Sequence, residues 1–312
     1  MKFSILIPSW NNLPFLKLCI DSIRKNSAAD HEIIVHVNDG SDGTLLWLED
    51  QGIRHTHSSG NIGICMAVNH IASLAICDWI LYMNDDMVCC PGWDTALMQK
   101  IEAATDDRIF LSSMLLEPMQ TGNERVIVQD HGVDPEHFDL SGLMNHYMDV
   151  HRSNMIGRAS QPTLLAKRWW SMVGGYSLEF SPGMSSDDDL LMKLWIVGFR
   201  HFEIVSSSRL YHFSCRSTGR IRKNRGSREF ALKWGITQGE FMHNFLRQMV
   251  FHGHTESFGR IPKPTISGRF KRAFHGLFSN IPLGDMAAWD PMPSEKFLNP
   301  PPQKFSNTKL NG

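Results

Sequence analysis

The sequence predicts an α/β fold: a mostly parallel central sheet flanked by helices, with a helical extension toward the C-terminus. Two observations predict it. Short apolar runs of strand length alternate with segments whose apolar residues recur at helical spacing, the order expected of βα units. Several of these runs also end in dense polar clusters, and open α/β sheets bind ligands at the carboxyl ends of their strands. A chain of 312 residues with 42% hydrophobic content has ample material for a core.

Phe3–Pro8 is an apolar run closed by proline and reads as the first buried strand. Leu16, Ile20 and Ile23 follow at helical spacing, and Asn26-Ser27 ends that helix. Glu32–Val37 is β-branched and runs into Asn38-Asp39-Gly40-Ser41-Asp42-Gly43, a strong turn signal. Gly63–Leu74 suits a helix with Ile64, Ala67, Val68 and Ile71 on one side. Trp79–Met83 is the next strand, Trp93–Ala104 a helix and Ile109–Leu116 a strand. Pro118–Met155 breaks the rhythm, being polar and weakly periodic, and reads as an irregular region. Asp187–Val197 is a helix ending at Gly198, Phe202–Val205 a strand, and Phe230–Phe251 a helix. The basic stretch Arg216–Arg228 between them reads as a loop. Pro and Gly punctuate the chain beyond Pro262, and the segment from 291 to 312 reads as an extended tail.

A formal charge of −1 argues against a protein built to coat nucleic acid or acidic membrane. The six cysteines include no C-x-x-C pair, and most lie in apolar stretches, which suits buried free thiols in a reducing cytoplasm. No run of about 18 uncharged apolar residues is present, so no bilayer span is expected. The apolar start of the chain is too short for a signal peptide and reads as a strand. The expected location is cytoplasmic, with at most peripheral contact at a membrane's inner face. The element containing Phe270, Phe274 and Phe278, flanked by Lys271 and Arg272, suits such a contact or a partner subunit. A helix folded back on the catalytic domain is the plainer alternative.

Four clusters line up with element ends: Pro8-Ser9-Trp10-Asn11, Asn38–Gly43, Asn84-Asp85-Asp86, and Ser186-Asp187-Asp188-Asp189. Carboxylate oxygens suit hard cations such as Mg2+ or Mn2+, although Asn84-Asp85-Asp86 alone also makes an ordinary turn. Together with Gly60-Asn61-Ile62-Gly63, this order resembles the family 2 glycosyltransferases of the GT-A fold. The resemblance covers roughly Lys2–Arg216 and continues weakly to Lys233-Trp234-Gly235.

The resemblance implies a GT-A catalytic domain over 1–225, with a nucleotide half to about 117 and an acceptor half beyond it. A helical region over 226–290 follows. Pro8 and Trp10 are implied near the base, and Asp39 on uracil or ribose. Asn11, Asn61, Gly63, Asn84 and Asp85 complete the nucleotide set. The family's Asp-x-Asp motif falls on Asn84-Asp85-Asp86, with Asn at the first position, so Asp86 becomes the metal ligand. His212 is the second implied ligand of a divalent cation, Mn2+ or Mg2+. Asp187 takes the place of the family's general base, with Asp188 as fallback. Trp169, Trp170 and Gly175 fall in the acceptor-side segment, and Arg216, Arg220 and Arg222 are candidates to close over the diphosphate.

The implied reaction is inverting transfer of a sugar from a nucleotide-diphosphate donor, a UDP-sugar first, to a hydroxyl of a glycan, lipid-linked or protein acceptor. Oligomerisation is left open. Two rivals remain. A sugar nucleotidyltransferase would carry a Gly-rich basic loop where this chain has Pro8-Ser9-Trp10-Asn11-Asn12. A catalytically inactive carbohydrate-binding relative would explain Asn84 but not the retained Asp86 and Asp187.

Overall fold

The computed structural model describes residues 1–120, 122–158, 161–214, 224–246 and 262–277. The elements run β1 (Phe3–Trp10), α1 (Leu13–Asn26), β2 (Glu32–Asn38), α2 (Thr44–Asp50), β3 (Arg54–Ser58), α3 (Gly63–Leu74), β4 (Trp79–Tyr82), β5 (Met87–Cys89) and α4 (Trp93–Ala103). They continue with β6 (Ile109–Glu117), β7 (Val126–Val128), α5 (Leu140–His146), β8 (Met155–Ile156), β9 (Thr163–Ala166), α6 (Lys167–Val173), α7 (Ser186–Ile196) and β10 (His201–His212). Last come α8 (Gly226–Trp234), α9 (Gln238–Phe241) and α10 (Ile266–Leu277).

One sheet carries the order β3-β2-β1-β4-β9-β6-β10-β5, with β7 added to β6 and β8 to β10. The half from β3 to β4 is parallel, as the alternating pattern predicts. Beyond it the sheet is mixed, because β9 enters antiparallel between β4 and β6, and β5 pairs antiparallel with β10. One apolar cluster packs α1 and α4 on one face of the sheet. A second packs α3 and α7 on the other, so the central strands are buried on both sides and read as continuous apolar runs.

Three elements depart from expectation. β3 has the sequence Arg-His-Thr-His-Ser and no apolar alternation; it is held as an edge strand by β2. The short strand expected over Phe202–Val205 is instead the twelve-residue β10, which continues past a register shift between Val205 and Arg209 to reach His212. The helix expected over Phe230–Phe251 is broken at Gly235, which adopts φ 74° and ends α8. Thr237 then caps α9 through a reciprocal pair with Glu240. Met242–Leu246 continue as a π-helical turn, whereas residues 247–251 of that expected helix, the loop candidates Arg216, Arg220 and Arg222, Phe278 and the Pro-rich tail lie outside the described residues.

β2 carries a fully buried histidine. His36 Nδ1 pairs with Thr56 Oγ1 at 2.7 Å and Nε2 with Ser58 Oγ at 3.1 Å. Burial, then the nearby His70 and His57, push its pKa down to about 3 from 6.5. The folded value lies below the unfolded one. The neutral ring's contribution to stability is therefore complete above about pH 6.5 and is lost as pH falls toward about 3. Urea midpoints should drop through that window, and His36→Gln should flatten the drop. An unchanged slope in the variant would assign the acid sensitivity elsewhere.

Candidate active site

Parallel register brings the polar ends of three strands to one edge. Within the sheet Pro8 pairs with His36 and Trp10 with Asn38, while Leu6 pairs with Tyr82. The Met83 amide donates to the Leu6 carbonyl at 3.0 Å, which carries Asn84-Asp85-Asp86 out beside Ser9 and Trp10. A cleft of about 420 Å³ opens there. Its floor is Pro8, Ser9, Trp10, Asn12, Asn38 and Tyr82. Asn61, Gly63 and Ile64 form one wall, Asn84, Asp85, Asp86, His212 and Ser214 a second, and Gln161, Pro182–Met184, Ser186 and Asp187 a third.

Asn38 ties the floor to the Asn61–Gly63 wall. Its Oδ1 accepts the Ile62 amide at 2.8 Å, and Asn61 Oδ1 accepts the Gly63 amide at 2.8 Å. Asn11 and Asp39 lie beside the cleft rather than in it. Asn11 Nδ2 donates to Asp39 Oδ2 at 2.9 Å, and both backbones are left-handed, with φ 46° and 66°. The Asn11 amide, outweighing slight burial, holds the Asp39 carboxyl below its usual range.

On the second wall Ser9 Oγ donates to Asp85 Oδ2 at 2.7 Å. Burial, then the adjacent Asp86 charge, push the Asp85 carboxyl up to about 7. The ring of His212 lies between two carboxylates, Nε2 at 3.4 Å from Asp86 Oδ1 and Nδ1 at 2.8 Å from Glu117 Oε1. Burial opposes its charge, but hydrogen bonds to Asp86 and Glu117 prevail and raise its pKa to about 9. The Phe213 amide donates to the Asp86 carbonyl at 3.1 Å and fixes the end of β10 against this loop.

The third wall is the N-terminus of α7. Asp187 Oδ1 accepts from the Tyr176 hydroxyl at 2.6 Å and from Gln161 Nε2 at 3.1 Å, and its side chain is 28% exposed. Arg158 lies 3.6 Å from Oδ2. Asp188, the fallback base, points elsewhere. It pairs with Arg158 at 3.0 Å and accepts from Gln238, and it does not line the cleft. Helical pitch turns it about 100° from Asp187. Asp189 is fully buried and accepts from Ser177 and the Trp234 indole.

Trp169, Trp170 and Gly175 are not brought into the cleft. The Trp169 indole donates to Asp107 at 2.9 Å and packs edge-on against Phe199. Trp170 is buried edge-on against Tyr176, ring centres 5.1 Å apart, and so backs the residue that holds Asp187. Gly175 has φ 59°, and a Cβ there would collide with Asn69 and Trp170. The sequence carried no signal for Gln161, Arg158 or Glu117, and Ser9 lay in the first polar cluster with no role of its own. Tyr176 followed the Gly174-Gly175 pair but had no polar pattern to mark it.

Residues 4–156 match the model of glycosyl transferase family 2. The chain carries a family 2 glycosyltransferase domain. The matched segment holds the floor and Asn84-Asp85-Asp86, while Asp187 and His212 lie beyond it on the same sheet and its packed helices. No curated protein matches the chain. Among solved structures it is similar to S. aureus TarS 1–349 in complex with UDP, with TM-score 0.51, 14% identity and coverage of 68% of this chain and 60% of that one. It is also similar to GalNAc-T7 with UDP, GalNAc and Mn2+, with TM-score 0.55, 12% identity and coverage of 88% and 54%. The chain thus spans under two thirds of either structure, and at these identities the likeness is one of GT-A fold.

Gly63 offers a test of the cleft wall. It has φ 75°, and a Cβ would stand 2.9 Å from Pro182 Cα, the residue whose carbonyl accepts the Ile64 amide. Gly63→Ala should cost about 1–2 kcal/mol from the left-handed backbone alone, read as a lower urea midpoint. Gly60→Ala, with open space around its Cβ, is the control. Equal midpoints for the two variants would mean that the wall yields freely.

Proposed function

We propose that the protein is an inverting glycosyltransferase that moves a sugar from a nucleotide-diphosphate donor to an acceptor hydroxyl. One observation carries the reading: a single cleft has Asp86 and His212 on one wall and an oriented, partly exposed Asp187 on another. The relatives support a nucleotide-sugar donor, since TarS and GalNAc-T7 were both solved with UDP. The floor at Pro8 and Trp10 and the Asn61–Gly63 wall would hold the nucleoside. The acceptor, a glycan, a lipid-linked sugar or a protein, would enter beside Asp187.

Asp187 accepts the proton of the acceptor hydroxyl. That oxygen attacks the anomeric carbon from the face opposite the diphosphate, and the carbon–oxygen bond to the nucleoside diphosphate breaks. Tyr176 and Gln161 occupy Asp187 Oδ1 and aim the carboxylate, so that much of the rate comes from positioning.

The donor set also fits a divalent cation. Asp86 and His212 present a carboxylate oxygen and an imidazole nitrogen to the same cleft, and Mg2+ or Mn2+ commonly adds substrate phosphates to few protein ligands. Among the described residues no group of three His, Cys, Asp or Glu is arranged to hold a metal alone. When bound, such an ion would neutralise charge on the departing diphosphate. With its pKa at about 9, His212 must give up a proton to ligate.

Asp187→Asn should lower turnover by roughly 10²–10⁴ while leaving donor affinity nearly unchanged. Transfer and donor hydrolysis with a panel of nucleotide sugars, UDP-sugars first, would measure it. Equal turnover would remove Asp187 as the base. Chelation should abolish activity, with Mn2+ or Mg2+ restoring it to the native chain but not to Asp86→Ala. Full activity in chelator would mark a metal-independent site, as Asn84 in place of Asp would allow.

A further inference from the structure

Among the described residues no helix is long and apolar enough to cross a membrane, yet α10 presents an apolar face to solvent. Ile266 is 76% exposed, Phe270 74% and Leu277 82%, with Phe274 at 62%. At about 100° per residue these four lie within one arc, with Ala273 beside them. An amphipathic helix folded onto its own domain buries such an arc. Here α10 is seated by the opposite side. Gly268 is its one buried residue, and a Cβ there would collide with the Glu240 carboxylate. Thr265 donates to Glu240, and Arg272 lies over Gly235. The small and polar side therefore holds the helix to α8 and α9, and the apolar side points away.

The flanks of this arc have one sign. From 262 to 277 the chain contains Lys263, Arg269, Lys271 and Arg272 and no acid. Lys263, Arg269 and Lys271 are exposed, the latter two on either side of the apolar arc. Outside this segment the formal charge of the chain sums to −5, although Arg216–Arg228 is a second basic stretch. An apolar stripe edged by exposed cations fits a surface that is apolar beneath and anionic above.

We propose that α10 lies in the headgroup region of an anionic lipid bilayer, with Ile266, Phe270 and Leu277 inserted and Arg269 and Lys271 at the phosphates. A second copy of the chain would bring the same cations against the helix and gains nothing from its charge. The proposal is independent of the reaction assigned to the cleft.

The full-length chain should co-sediment with vesicles of phosphatidylcholine and phosphatidylglycerol, and at least tenfold more weakly with phosphatidylcholine alone. Raising salt should weaken binding to the anionic vesicles. Phe270→Glu with Leu277→Glu should abolish co-sedimentation while leaving the thermal midpoint unchanged, since both side chains are exposed. Arg269→Glu with Lys271→Glu should reduce binding to the level seen on neutral vesicles. Absence of binding by the native chain, or binding unaltered by the apolar pair of substitutions, would overturn the proposal. So would a native dimer in light scattering that the apolar pair converts to a monomer, which would assign the face to a second copy.

Discussion

The direction of Asp187 depends on the burial of its neighbour. Asp189 has no exposed side chain, and an unpaired carboxylate there would be costly. Its partners come from three elements: Lys193 from α7 itself, Ser177 from the turn before it, and Lys233 and Trp234 from α8. A rotation of α7 about its axis would strand that charge, so the helix has one setting. At about 100° per residue the two preceding carboxylates then face two other directions. Asp188 meets Arg158 and Gln238, and Asp187 meets the cleft. Three adjacent acids therefore make one structural anchor, one clamp and one carboxylate open to the cleft.

The facing wall distributes charge differently. Asn84 is neutral, and burial beside Asp86 favours the protonated form of Asp85, whose pKa lies near 7. The imidazolium of His212 balances Asp86 on one side and Glu117 on the other. Fixed negative charge on this wall is thus small for one with three acidic side chains. On the proposed reading, a divalent cation held by Asp86 and His212 would supply positive charge facing a diphosphate. Glu117, at the end of β6, has the geometry to orient the ring by holding Nδ1.

The fold was legible where one physical signal dominated. Gly63–Leu74 and the helix of Leu16, Ile20 and Ile23 carry apolar residues at helical spacing and bury that side, so the limits of the first and the end of the second at Asn26 followed from the pattern. β3 was not legible, because an edge strand beside β2 needs backbone partners rather than apolar side chains. The length of β10 was hidden because Ser206-Ser207-Ser208-Arg209 resembles a loop, whereas Arg209 is buried and donates to the carbonyls of Tyr147 and Val150. In the site, acids at element ends announced themselves. The groups that aim them did not: Tyr176, Gln161 and Glu117 become neighbours of Asp187 and His212 only after the sheet has formed. An aromatic pair near a Gly-Gly step reads equally as a sugar platform and as packing, and Trp169 and Trp170 do not line the cleft. Here the packing side prevails through Asp107 and Tyr176.

The same contacts that set α7 lead outward to the C-terminal helices. Trp234 at the end of α8 donates to Asp189, and Gln238 at the start of α9 donates to Asp188. Glu240, two residues further on, receives Thr265 at the start of α10. Each link is a polar group whose removal would leave a partner unsatisfied, so the series resists sliding more than an apolar contact would. Whatever holds α10 therefore also holds the Asp187 wall. A bilayer beneath α10 would fix the height of that wall above its surface. An acceptor anchored in the same bilayer would then reach the cleft by lateral diffusion, with its distance from the surface already set.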